Sequence, residues 1–136
     1  MDLSNIDSVI LTMYEVISGE AGKARDWKLL RSLYHPGARL MPALSPPDGS
    51  PQLRVLTVDD FIHRVESIFE KESFWERETH REIETFGRIA HVLSYYESLR
   101  DPNGAPFTTG KKTMQLYFDD VRWWIVSAMW NTERSE

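Results

Sequence analysis

Leu3, Ile6, Val9, Ile10, Met13 and Ile17 recur at steps of three and four residues, which predicts an amphipathic helix with one apolar face. Asp2 or Ser4 stands where its N-cap belongs, and Gly19 ends it. A second, shorter helix is predicted from Asp26, its N-cap, with Trp27, Leu30, Leu33 and Tyr34 on one side. His35-Pro36-Gly37 then reads as a helix stop, with His35 in the last turn near the carbonyl end. Residues 38–43, "ARLMPA", read as a strand, and "LSPPDGSPQ" reads as an exposed loop. Thr57 and Asp60 have the spacing of a capping box, with Asp in place of Glu. They open a third helix that carries Val58, Phe61, Ile62, Val65, Ile68 and Phe69 on one face.

From Phe74 the period changes. "FWERETHREIETF" is a long extended run with charges on both faces, so part of it must be solvated. "RIAHVLSYYESL" is apolar or aromatic on both faces, as a central strand requires. "DPNGAP" has turn chemistry, and "TMQLYF" with "RWWIVSAMW" forms a hairpin around Asp119-Asp120. Helices first and a meander of strands afterwards predict an α+β fold rather than βαβ winding, in a single domain over residues 1–136.

Composition narrows the partners and the chemistry. A formal net charge of −5 argues against nucleic acid or an anionic membrane surface as the main partner. With no cysteine there is no disulfide framework, thiolate metal site or thiol nucleophile. The N-terminus lacks a basic signal-peptide region, and no apolar run is long enough to span a bilayer. These features lead to the expectation of a cytoplasmic protein. No HExxH, glycine-rich phosphate loop, nucleophile elbow or EF-hand spacing occurs, so neither a metal nor a nucleotide cofactor is expected.

The element order, together with "DWKLLRSLYHPGARL" and "YFDDVRWWIVSAMW", resembles the superfamily of nuclear transport factor 2. That superfamily includes ketosteroid isomerases, scytalone dehydratase and polyketide cyclases. The resemblance implies a cone: a curved antiparallel sheet wrapped around about three N-terminal helices, with a pocket between them. It also implies homodimers pairing through the outer face of the sheet. Fold alone does not fix the chemistry. Ketosteroid isomerases use a helix tyrosine, a strand aspartate as base and a second, protonated aspartate as donor. Tyr14 stands near the tyrosine position, but Pro42 falls at the base and Met114 at the second donor. Proline cannot accept a proton and a thioether cannot donate one, so that activity is rejected. Scytalone dehydratase-like chemistry needs a pocket histidine, and His35, His63, His80 and His91 do not match its pattern individually.

His91 shares strand parity with Leu93, Tyr95 and Glu97. If that face lines the pocket, His91 is an acid/base candidate; if it is the outer face, the same residues form a dimer interface. His63 reads as a solvent-edge residue, and His80, Glu82 and Glu84 as part of a charge-paired strand rather than a metal site. By the family match, Ala128 and Trp130 point into the cone and Trp123 points out. The expected site therefore has His91 and Tyr14 as catalytic residues, with Tyr34, Met41, Met114, Ala128 and Trp130 as ligand-binding residues. The expected function is binding of a small hydrophobic or aromatic molecule, with cofactor-free isomerisation, cyclisation or dehydration through His/Tyr acid–base chemistry. The alternative is a non-catalytic homodimeric binding or assembly module.

Overall fold

In the computed structural model, which describes residues 1–46 and 48–134, the chain begins with α1 (Ile6–Ile17) and α2 (Trp27–Leu33). Next come β1 (Tyr34–Leu44), β2 (Gln52–Leu53) and α3 (Val58–Lys71). Four long strands complete it: β3 (Trp75–Phe86), β4 (Ile89–Leu99), β5 (Thr108–Phe118) and β6 (Trp123–Arg134). The α+β class and the three helices agree with the sequence pattern.

Local chemistry sets the helix boundaries. Asn5, rather than Asp2 or Ser4, caps α1 by accepting from the backbone N–H groups of Asp7 and Ser8. Asp2 instead closes the preceding turn, accepting from Ser4 N at 2.9 Å. Asp26 caps α2, and the Thr57–Asp60 capping box of α3 is formed in both directions.

β1 starts four residues earlier than its apolar pattern suggested. Tyr34 is at once the C-cap of α2 and the first residue of the strand. His35 is therefore beyond the helix rather than in its last turn. Its Nδ1 accepts from Gly37 N at 3.1 Å, and its ring meets Trp124 edge-on at 6.2 Å. Pro36 explains the sharp stop, because it lacks an N–H and biases the residue before it towards extended backbone.

The sheet order is β2-β1-β6-β5-β4-β3. All its neighbours are antiparallel except β1 and β6, which run parallel with Leu40 opposite Ala128 and Pro42 opposite Trp130. Within the Pro-rich loop, the short β2 pairs back onto the end of β1. A bulge opposite Gln115/Leu116 inverts the alternation of β6, so Ile125 and Ala128 are both buried. This corrects the expected direction of Trp123, which packs against the core and meets Phe118 at 5.1 Å.

The concave face of the sheet carries Ala90, Val92 and Tyr96 of β4, Met114 and Leu116 of β5, and Ile125 and Ala128 of β6. Val9, Ile10, Met13 and Ile17 of α1 and Leu30 and Leu33 of α2 cover it. Each such side chain contributes about 1.5–3 kcal/mol on leaving water. β3 forms one edge of the sheet, and its charged exterior discourages pairing with another chain. Among the described residues no helix is long and apolar enough to cross a membrane.

Candidate active site in the cone

A cavity of about 420 Å³ opens between α3 and the concave face of the sheet. The helical wall is largely apolar, formed by Leu30, Phe61, Val65 and Phe69. The other wall is the sheet, which contributes polar groups in neighbouring rows: Glu76, Tyr96, Ser98, Lys112 and Thr132.

The centre of that polar wall is an ion pair between Lys112 Nζ and Glu76 Oε1, with side chains 10% and 8% exposed. Ser98, opposite Glu76 in the β3–β4 ladder, donates to Glu76 Oε2 at 3.3 Å. The Glu76 backbone is held by Ser18, whose hydroxyl accepts from Glu76 N at 3.0 Å and donates to Tyr14 O at 2.8 Å. Lys112 points inward because it shares parity with Met114 and Leu116. Its ammonium is surrounded by aromatic faces: Tyr14 at 4.7 Å, Tyr96 at 4.8 Å and Trp130 at 5.6 Å from the ring centroids. Rings at such distances stabilise a cation electrostatically.

Tyr96 can lie flat across the sheet only because position 110 is glycine. Its hydroxyl crosses over Gly110 to Thr132 Oγ1 at 2.5 Å. A Cβ at Gly110 would be 2.5 Å from that hydroxyl and 2.6 Å from the Asn131 carbonyl oxygen.

Tyr34 also lines the cavity. Burial, and then the nearby Glu76 charge, push its pKa well above the ordinary tyrosine value, so it is a neutral O–H group. Tyr14 is shifted the same way by burial, but its hydroxyl is committed elsewhere. It shares a 2.7 Å hydrogen bond with Ser94 Oγ, which donates to Glu78 Oε2 at 2.5 Å; Glu78 and Asp7 in turn hold Arg81.

Of the residues named from the sequence, the cavity brings together Tyr34, Ala128 and Trp130. Met114 is fully buried in the core, and Tyr14 offers its ring to Lys112 but is not among the lining residues. Met41 stands opposite Met129, on the strand face away from the lining residues Leu40 and Pro42. His91 lies on the outer face, exposed, with Nδ1 2.6 Å from Gln115 Nε2 and Glu84 as its cross-strand neighbour. Sequence reasoning missed Glu76 and Lys112. Lys112 was legible as the residue two places before Met114 on an apolar face; Glu76 was hidden in a charged run. Among the described residues no cluster of His, Asp and Glu is arranged to hold a metal ion.

No family model matches the sequence, and no curated protein matches it. Solved structures do match. A protein of unknown function with a cystatin-like fold from Nostoc punctiforme superposes with a TM-score of 0.72 at 10% identity, covering 99% of this chain and 97% of that one. An NTF2-like protein of unknown function from Silicibacter pomeroyi gives 0.62 at 15% identity, covering 94% and 92%. The fold is that of the NTF2-like proteins. A protein from Novosphingobium aromaticivorans, described as a candidate scytalone dehydratase, gives 0.68 at 13% identity, covering 96% and 85%. At these identities the likeness speaks for the NTF2-like fold, and the chemistry has to be argued from the cavity itself.

Proposed function

We infer that the chain binds a small, largely apolar molecule inside its cone, with Glu76 and Lys112 as the polar centre of a cofactor-free proton-transfer site. The observation that carries this reading is a buried ion pair on the wall of a largely apolar cavity of about 420 Å³. A buried pair of this kind contributes little to net stability, so stability alone is a weak reason for its presence. Only one of the three Lys112 N–H donors is needed by Glu76 Oε1. The others, with the Tyr34 hydroxyl, suit a ligand oxygen that gains negative charge, while the Glu76 carboxylate suits removal of a proton. Isomerisation, cyclisation and dehydration all need that combination.

The test is a panel of neutral aromatic alcohols and ketones titrated into the protein, read by tryptophan fluorescence because Trp130 lines the cavity. Binding that disappears in Ala128→Phe, with the fold intact by circular dichroism, supports the reading. Absence of binding by every compound in the panel refutes it.

A second reading is a homodimer that pairs through the outer face of the sheet. The observation favouring it is a row of exposed apolar side chains at one end of that face: Phe86, Ile89 and Tyr117, at 83%, 59% and 39% exposure. The same face carries Lys111 with Glu82 and Glu84, charges that a two-fold axis can bring opposite one another. Sedimentation of the wild type against Ile89→Glu tests it: a wild-type monomer ends this reading. A cytoplasmic location belongs to the same proposal, supported by the absence of cysteine.

A further inference from the structure

We propose that Lys112 is a carbonyl-reactive lysine, and that the cone takes apolar aldehydes or ketones as imines on its Nζ. This rests on the cavity reading above and narrows its ligand to a chemical class. The cage around Lys112 is suited to a cation both before and after the reaction: a carboxylate on one side and the ring faces of Tyr14, Tyr96 and Trp130 on the others. A protonated imine has the same charge as the ammonium it replaces. Exchanging one for the other therefore leaves the buried charge beside Glu76 unchanged, so no new desolvation cost arises there.

The chemistry balances without a cofactor. Glu76 takes one proton from the Lys112 ammonium, and the free amine attacks the carbonyl carbon. The C=O π pair moves to oxygen, giving a carbinolamine after proton transfer. The proton held by Glu76 returns to the departing hydroxyl, a C–O bond breaks, and water leaves as the C=N bond forms. The products are a protonated imine, one water and the original Glu76 carboxylate. The Tyr34 O–H lines the same cavity and is the second donor available to the carbonyl oxygen. Buried lysines in apolar pockets are the usual bearers of this reaction. The other lysines, Lys23, Lys28, Lys71 and Lys111, lack this enclosure: among the described residues the first three have no carboxylate paired to them, and Lys111 lies on the outer face over Tyr95.

The experiment treats the full chain with cinnamaldehyde and sodium cyanoborohydride, which reduces an imine to a stable amine, and maps the adduct by peptide mass spectrometry. Cinnamyl alcohol, which cannot form an imine, is titrated in parallel by tryptophan fluorescence. Labelling of Lys112 on the order of tenfold or more above any other lysine is expected, from the effective concentration of a bound aldehyde. Lys112→Arg, which keeps a cation beside Glu76, should lose that labelling. Unlabelled Lys112 with cinnamyl alcohol still bound overturns the proposal and leaves the cavity reading standing. Unlabelled Lys112 with no alcohol binding overturns both. The wild-type peptide map decides the matter even if the variant fails to fold.

Discussion

Removing either partner of the Glu76–Lys112 pair should destabilise the fold far more than removing both. The two side chains are 8% and 10% exposed, so neither can turn to water when its partner is lost. At about 3 Å and an effective dielectric near 20, their attraction is roughly 5 kcal/mol, and the desolvation of two ions offsets most of it. Glu76→Gln leaves an ammonium with only ring faces and the amide oxygen around it. Lys112→Met leaves a carboxylate with one 3.3 Å hydrogen bond, from Ser98. Each single change should cost about 3–5 kcal/mol, a large part of the stability of a domain this size. The double variant should return to within about 1 kcal/mol of the wild type or exceed it, because Met fills the apolar channel of the lysine stem. Urea unfolding followed by tryptophan fluorescence gives the double-mutant cycle, with a coupling energy of roughly 5 kcal/mol or more. Additive single effects below about 1 kcal/mol would mean that the pair is solvated, and the argument for a desolvated polar centre would fail.

Gly110→Ala should cost about 3 kcal/mol in the same assay, since its methyl group meets a backbone carbonyl as well as the Tyr96 hydroxyl; an unchanged urea midpoint would refute the close approach. Burial raises the pKa values of Tyr14, Tyr34 and Tyr96 above the ordinary value of 10.0. Their stability contribution is therefore complete below pH 10.0 and lost as pH rises above it, when the unfolded chain ionises first. For three such groups the slope approaches roughly 4 kcal/mol per pH unit. Phenolate absorbance and far-ultraviolet circular dichroism should show a shared transition, and ionisation of all five tyrosines before unfolding would contradict it.

The parts of the fold that were legible in the sequence are those in which period, cap and burial agree. The stripe of α1, the Thr57–Asp60 box of α3 and the two-sided apolar run of β4 each specify one local structure. The site was less legible because it depends on which strand face is concave, and a period of two gives the same sequence pattern for either face. His91 and Met41 fell on the convex side for that reason alone. Bulges then broke the parity in β6 and β3, which turned Trp123 towards the core and left no simple alternation across the charged run around Glu78 and His80. Lys112 and Glu76 recognise each other across 36 residues, through strands whose registers no local pattern states.

Strand parity places His91 and Lys112 on opposite faces of the sheet, and paired substitutions separate the two faces. His91 on the convex face touches Gln115 and is exposed, so His91→Ala removes one surface hydrogen bond and opens no cavity. It should change stability by less than about 0.5 kcal/mol. Because the sheet separates it from the cavity, it should also leave the affinity for cinnamyl alcohol unchanged within about twofold. Lys112→Met, on the concave face, should weaken that affinity about tenfold, as expected for loss of one charge-assisted hydrogen bond. If His91→Ala reduces binding and Lys112→Met does not, the assignment of the concave face is wrong, and the proton-transfer site belongs on the opposite side of the sheet.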